Sequence, residues 1–142
     1  MHAVDVNVLV FAHRPDADGH SRYRDWLEAA RLGEEPLGVS DVVLSGFVRI
    51  VTHPRVFKDP SPLEVAVGFA DMLRASPASV PLRPGPRHWG LFTGLCQQTG
   101  ARGNLVPDAF LAALAIESGA TWMTADRGFA RFAGLRWAHP LD

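Results

Sequence analysis

The stretch Leu105-Val106-Pro107-Asp108-Ala109-Phe110-Leu111-Ala112-Ala113-Leu114-Ala115-Ile116-Glu117-Ser118-Gly119-Ala120-Thr121-Trp122-Met123-Thr124-Ala125-Asp126 decides the fold. Pro107 suits the first position of a helix, where its missing N–H costs nothing. The apolar run behind it carries that helix to about Ser118, and Gly119 is a C-terminal stop. Such a helix is about 18 Å long at roughly 1.5 Å per residue. The chain then turns at Gly119 and returns to Thr124, through the strand Thr121–Thr124, over an extended path of about 17 Å at roughly 3.3 Å per residue. Helix start and strand end therefore share one edge, which brings Asp108 and Asp126 together.

Working outward, His2–Asp5 begins a strand. The run to Phe11 either continues it or turns into a short helix; the alternation of Val4, Val6, Val8 and Val10 favours strand, with Asp5 and Asn7 on one face. His20–Arg31 reads as a helix with Tyr23, Trp26, Leu27 and Ala30 on one side. Leu32–Val39 is a connector. Ser40 is an N-cap for a helix from about Asp41 to Thr52, whose apolar face is Val43, Leu44, Phe47, Ile50 and Val51. Pro62 opens a helix to about Arg74. Val80–Leu82 is a short edge strand. Pro86–Gln98 is a helix carrying Trp89, Phe92 and Leu95, and Leu135–Trp137 is a last strand. Strands separated by helices imply an α/β domain with a parallel sheet.

Three aspartates stand in otherwise apolar surroundings: Asp5, Asp108 and Asp126. Burying a carboxylate is costly unless something pairs with it. If the first strand runs parallel to Thr121–Thr124, Asp5 joins the other two at the carboxyl edge, where open α/β sheets bind ligands. Each acid also has a purely structural role open to it. Asp5 could cap a helix starting at Val6, Asp108 could complement its helix dipole, and Asp126 could serve the turn Asp126-Arg127-Gly128. Together they point to a site for Mg²⁺ or Mn²⁺, which favour hard oxygen ligands.

The 142 residues are 47% hydrophobic and 20% charged, with a formal net charge of −1. That balance suits one globular domain over residues 1–142 and lacks the basic footprint of a dedicated nucleic-acid binder. A single cysteine, Cys96, allows no internal disulfide and points to the cytoplasm. No apolar run reaches the roughly 18 residues of a membrane span, and Asp5 falls where a signal peptide would be apolar. Other chemistries lack their residues. A haloacid-type phosphatase needs a second aspartate where Asn7 stands. A receiver domain needs adjacent acids near its first strand. The six histidines show no zinc-ligand spacing, and Gly-x-Ser-x-Gly does not occur.

Several segments together resemble the PIN-domain nucleases, and within them the VapC-type toxins of bacterial toxin–antitoxin pairs, especially an actinobacterial branch. They are Val4-Asp5-Val6-Asn7-Val8-Leu9, Phe47 to Phe57, Asn104 to Ala115, Thr124 to Phe129, and Gly134-Leu135-Arg136-Trp137. The resemblance covers nearly the whole chain. It implies a single PIN domain over 1–142, built as a three-layer α/β/α sandwich with a mainly parallel central sheet. It also implies a Mg²⁺-dependent endoribonuclease, an antitoxin that blocks the acidic pocket, and a homodimer. In that family the positions matching Asp5 and Asp108 hold the metal, and the one matching Asp126 assists directly or through water. Asn7 and Thr124 match positions that organise the carboxylates.

Two positions depart from the family pattern. Gly46 stands where many PIN domains carry a glutamate, and Gly128 where another aspartate is common. Asp41 cannot replace the first: five residues away on a helix, it points about 140° elsewhere. These losses keep open a second reading, a PIN-fold module that binds antitoxin or RNA without cutting. Arg49, Arg55 and Arg102, with Arg14 and Lys58, are candidates for RNA phosphate contacts. Trp26, Trp89, Trp122 and Trp137 could stack bases, with core packing the commoner use of such residues.

Overall fold

The computed structural model describes residues 1–142. Its chain order is β1 (His2–Val4), α1 (Val6–His13), α2 (His20–Leu32), β2 (Leu37–Ser40), α3 (Asp41–Val51), α4 (Leu63–Arg74), β3 (Ser79–Leu82), α5 (His88–Thr99), α6 (Leu105–Ser118), β4 (Thr121–Met123), a 3₁₀ turn (Arg127–Arg131) and β5 (Trp137–Ala138). The five strands lie in the order β3-β2-β1-β4-β5, and every neighbouring pair is parallel.

This order has a consequence for function. From β1 the chain steps outward to β2 and β3, then crosses back to β4 on the other side of β1. With right-handed crossovers, α1–α4 and α5–α6 must cover opposite faces of the sheet. The packing agrees: α1 touches α2 and α3, α3 touches α4, and α5 pairs with α6. Adjacent strands β1 and β4 thus send their connections in opposite directions. The crevice beyond their carboxyl ends is the topological switch point, the usual ligand site of such sheets.

Most helices begin and end where local chemistry directs. Ser40 caps α3, accepting the Val42 N–H at 3.2 Å, and Gly119 ends α6 at φ 70°. Helix α6 starts at Leu105, two residues before the expected boundary. Pro107 is then its third residue, still among the N–H groups that lack an intrahelical partner. Three other elements differ from expectation. The valine alternation after Asp5 belongs to α1, not to a longer strand. Val8, Leu9, Val10 and Ala12 are all buried in it, so tertiary packing overrides the β preference of valine. The expected connector before Ser40 contains β2. Gly38 weakens its sequence signal, yet a Cβ there would meet Leu82 Cδ1 at 2.5 Å. Trp89 on α5 stands 69% exposed, while Leu95 is buried.

The core is continuous around the sheet, with Trp122, Phe47, Leu9, Leu37 and Leu114 among its fully buried side chains. Trp26 and Trp137 pack against it. Phe47 joins the two halves of the α1–α4 layer: its ring lies 5.2 Å from His13 on α1 and 4.9 Å from Phe69 on α4. No helix is long and apolar enough to cross a membrane. Replacing Phe47 by Ala removes a wholly buried ring and should cost about 3–5 kcal/mol, measured as a lower urea midpoint at unchanged slope.

Candidate metal centre and active site

Asp5 follows β1 and is the N-cap of α1. Its side chain is 5% exposed, so both oxygens need partners. Oδ1 accepts the Val6 N–H at 2.7 Å. Oδ2 accepts the Thr124 hydroxyl at 2.6 Å and the Asn7 amide at 3.3 Å. Thr124, fully buried after β4, in turn accepts the Asp126 N–H at 3.0 Å. Asn7 Oδ1 accepts the Ala125 N–H at 3.1 Å. One network therefore stitches the end of β1 to the end of β4. Asn7 and Thr124 sit at its centre, the positions from which they orient carboxylates.

Asp126 is exposed and caps the 3₁₀ turn, its Oδ1 accepting the Gly128 N–H at 2.8 Å. Asp108 is half-buried in the first turn of α6. The structural roles open to Asp5 and Asp126 are thus both real, and they coexist with convergence. Asp5, Asp108 and Asp126 line one cavity of about 420 Å³. Its other walls include Val42, Gly46 and Arg49 of α3, Pro107 and Leu111 of α6, and Phe129. The smaller hollows elsewhere carry no comparable set of acids.

The electrostatics of the cavity reflect crowded anions. Burial pushes the Asp5 carboxyl up to about 6, against the lowering effect of its bonds from Thr124 and Val6, and the charges of Asp108 and Asp126 add to the rise. Asp108 is also raised, first by burial and then by Asp126, with Arg131 opposing. An ionised trio here calls for a counter-charge.

The donors are all carboxylate oxygens, the chemistry that Mg²⁺ and Mn²⁺ prefer. No three His, Cys, Asp or Glu side chains close into a tight ligand set. The expectation that three carboxylates deliver their oxygens to one ion-sized point is therefore not met: the acids share a cavity, but their oxygens are not drawn together. Mg²⁺ usually keeps several waters and takes one or two carboxylates, so the residues present fit a hydrated ion.

Among the phosphate candidates, Arg49 lines the cavity. Arg55 lies on the loop after α3 and Arg102 on the loop before α6, both exposed and neither on the cavity wall. Arg14 turns inward instead. It is 8% exposed, pairs with Asp16 at 2.8 Å, donates to Ser61 and the Asp59 carbonyl, and lies over the Phe57 ring. Two residues escaped the sequence reading: Asn104, on the cavity wall, and Arg131, whose field reaches Asp108. Arg131 follows Asp126 by five residues, a spacing with no helical periodicity to expose it.

Residues 3–135 match the family model for the PIN domain. The chain is 54% identical over 142 residues to ribonuclease VapC43 of Mycobacterium tuberculosis, covering 100% of this chain and 97% of that protein. It is 40% identical over 140 residues to ribonuclease VapC25 of the same species, with 99% of each chain covered. Its fold is similar to that in the crystal structure of VapBC2 from Rickettsia felis bound to a DNA fragment from their promoter, at a TM-score of 0.69, 20% identity and 97% coverage of each chain. Sequence similarity over the full length and the acid-lined switch-point crevice thus lead to one family: the chain belongs to the PIN-domain proteins, within their VapC branch.

Proposed function

We propose that this protein is a metal-dependent endoribonuclease and the toxin of a toxin–antitoxin pair. The observation that carries this reading is the cavity at the β1/β4 switch point, lined by Asp5, Asp108 and Asp126. Names of full-length relatives as ribonucleases support the reaction class. Asp5 and Asp108 would hold Mg²⁺, or Mn²⁺ in its place, with Asp126 assisting. The ion, when bound, supplies positive charge to the scissile phosphate and makes water more acidic.

The chain's own groups do the rest. Thr124, Asn7 and the Val6 N–H fix Asp5, so its oxygens need no reordering during the reaction. Asp126 keeps one oxygen free of protein donors and orients the attacking water, accepting its proton. The water oxygen bonds to phosphorus in line with the departing 3′-oxygen, which leaves with a proton from solvent. The products carry a 5′-phosphate and a 3′-hydroxyl. No histidine is needed for proton transfer.

We infer a cognate antitoxin as partner. An arginine from it would fit this anionic cavity, since a guanidinium matches carboxylate geometry and would compete with the cation. The similar VapBC2 structure is a pair of that name. A homodimer is part of the same proposal, supported by apolar surface at Trp89 and Val42, 69% and 50% exposed. A second reading, a module that binds without cutting, rests on Gly46 and Gly128, which leave the cavity three acids rather than five.

Incubation with cellular RNA and Mn²⁺ should yield new 5′-phosphate ends, and Asp5→Asn should abolish them while the circular dichroism spectrum is retained. Undiminished cleavage by that variant, or in excess chelator, would exclude the mechanism. Mg²⁺ titration separates the two readings: an enzyme is stabilised by RT ln(1 + [L]/Kd), whereas a non-cutting module that holds no ion shows no change in melting temperature. The pH dependence follows from Asp5. Its folded-state pKa lies above the ordinary 3.8, so the folded protein holds this proton more tightly than the unfolded chain. The resulting destabilisation is absent below about pH 4 and complete above about pH 6. At about 1.4 kcal/mol per tenfold change in proton affinity, its upper size is on the order of 3 kcal/mol. In chelator, the stability of Asp5→Asn relative to wild type should therefore rise between those limits and then level off; a flat difference across that range would refute the assignment.

A further inference from the structure

The thirteen arginines of this chain divide sharply by partner. Eight are engaged: Arg14, Arg24, Arg31, Arg74 and Arg127 pair with carboxylates, and Arg22, Arg87 and Arg136 donate to backbone carbonyls. The guanidinium groups of Arg49 and Arg131 make neither kind of contact; Arg49 borders the acidic cavity, and Arg131 stands beside Asp126, one of its acids. Arg49 lines its α3 wall. Arg131 closes the 3₁₀ turn that Asp126 caps, and its charge opposes the rise of the Asp108 carboxyl.

Each of these arginines follows a glycine by three residues, and each glycine also borders the acids. Gly46 lines the cavity with Arg49 one helical turn further on. A Cβ at Gly46 would stand 3.2 Å from Val6 Cγ2, and the bare glycine offers Arg49 no partner from that position. A Cβ at Gly128 would stand 2.9 Å from Asp126 Oδ1 and 3.1 Å from Arg131 Nη2. The bare glycine lets cation and anion approach the same point from two sides, yet they do not close into an ion pair. An anion at either glycine would place a partner beside the arginine at a spacing that favours pairing. Two exposed guanidiniums are thus left without a protein partner, one on α3 at the cavity wall and one beside Asp126 on the turn after β4.

Such a pattern has little use for a metal, which the arginines repel. It suits a polyanion whose central phosphate sits at the acids while its neighbours need cations. We propose that Arg49 and Arg131 form a two-sided phosphate clamp, holding the backbone of single-stranded RNA on either side of the scissile bond. The clamp rests on the nuclease reading above. In it, Arg49 and Arg131 position the strand so that only one phosphodiester faces Asp5 and Asp108. Phosphate contacts of this kind set register without reading sequence.

The test uses the full-length chain carrying Asp5→Asn and a fluorescent single-stranded RNA, with affinity measured by anisotropy over a range of salt. Each phosphate contact contributes about 0.7 to the slope of log K against log salt for single strands. Arg49→Gln and Arg131→Gln should each weaken binding and lower that slope by about 0.7, and the double variant by about 1.4. Arg83→Gln removes an equally unpaired arginine, from a different hollow, and should change neither. Unchanged slopes for Arg49→Gln and Arg131→Gln, or an equal drop for Arg83→Gln, overturn the clamp even if wild type cleaves RNA. If wild type fails to cleave but the two slopes fall as expected, the nuclease reading fails and the clamp survives as an RNA-binding device. Restored binding and slope in Arg49→Lys and Arg131→Lys would separate charge from any loss of fold.

Discussion

A carboxylate almost wholly withdrawn from water must find partners for both oxygens, and Asp5 finds them across the seam between β1 and β4. Much else follows from that constraint. The Val6 N–H it accepts starts α1, so an acid of the cavity doubles as a helix cap. The Thr124 hydroxyl it accepts aligns the loop after β4, and through the Asp126 N–H sets where the third acid begins. A partner on only one strand would have left the crevice without rigid walls. Because the network ties two strands, the walls of the cavity and the pairing of the sheet are one structural unit.

The same burial that organises Asp5 also makes its charge expensive. Its donors lower the proton affinity, but desolvation and two neighbouring acids outweigh them. Folding without a counter-ion therefore carries a standing strain at neutral pH, localised at one residue. A divalent ion relieves it, and so would the guanidinium of a partner. On the proposed function, a metal ion and an antitoxin arginine would compete, because both would satisfy the same unpaired charge. Arg49 and Arg131, the chain's own arginines nearest the acids, form no ion pair with them, which would leave the position open for either visitor. Selection between the two falls to what approaches the crevice from outside.

The acids were visible in the sequence because each interrupts an apolar run. The helix Leu105–Ser118 and strand Thr121–Met123 were visible because Gly119 separates two strongly typed segments. Ser40 and Pro62 announced α3 and α4 in the same way. By contrast, α1 was obscured by its valines, whose alternation imitates a strand. Strand β2 was obscured by Gly38, whose small size is required by Leu82 on the neighbouring strand. Arg14 has the same composition signature as any exposed arginine, and only the fold shows it sealed against Phe57 and Asp16. Arg131 lacked a signal because its neighbour in space, Asp108, is distant in sequence.

By itself the sequence determined the helical segments other than α1, which residue types could hold a hard cation, and that three of them lie at the ends of elements. Those are local properties: periodicity, caps, and the cost of an unpaired acid in apolar surroundings. Only the tertiary structure decided that β1 and β4 are neighbours with opposite crossovers, which side chains pair across them, and which arginines remain free. Pairing and freedom depend on distances between residues more than a hundred positions apart. No short-range pattern encodes a distance of that kind; it emerges when strands choose their partners.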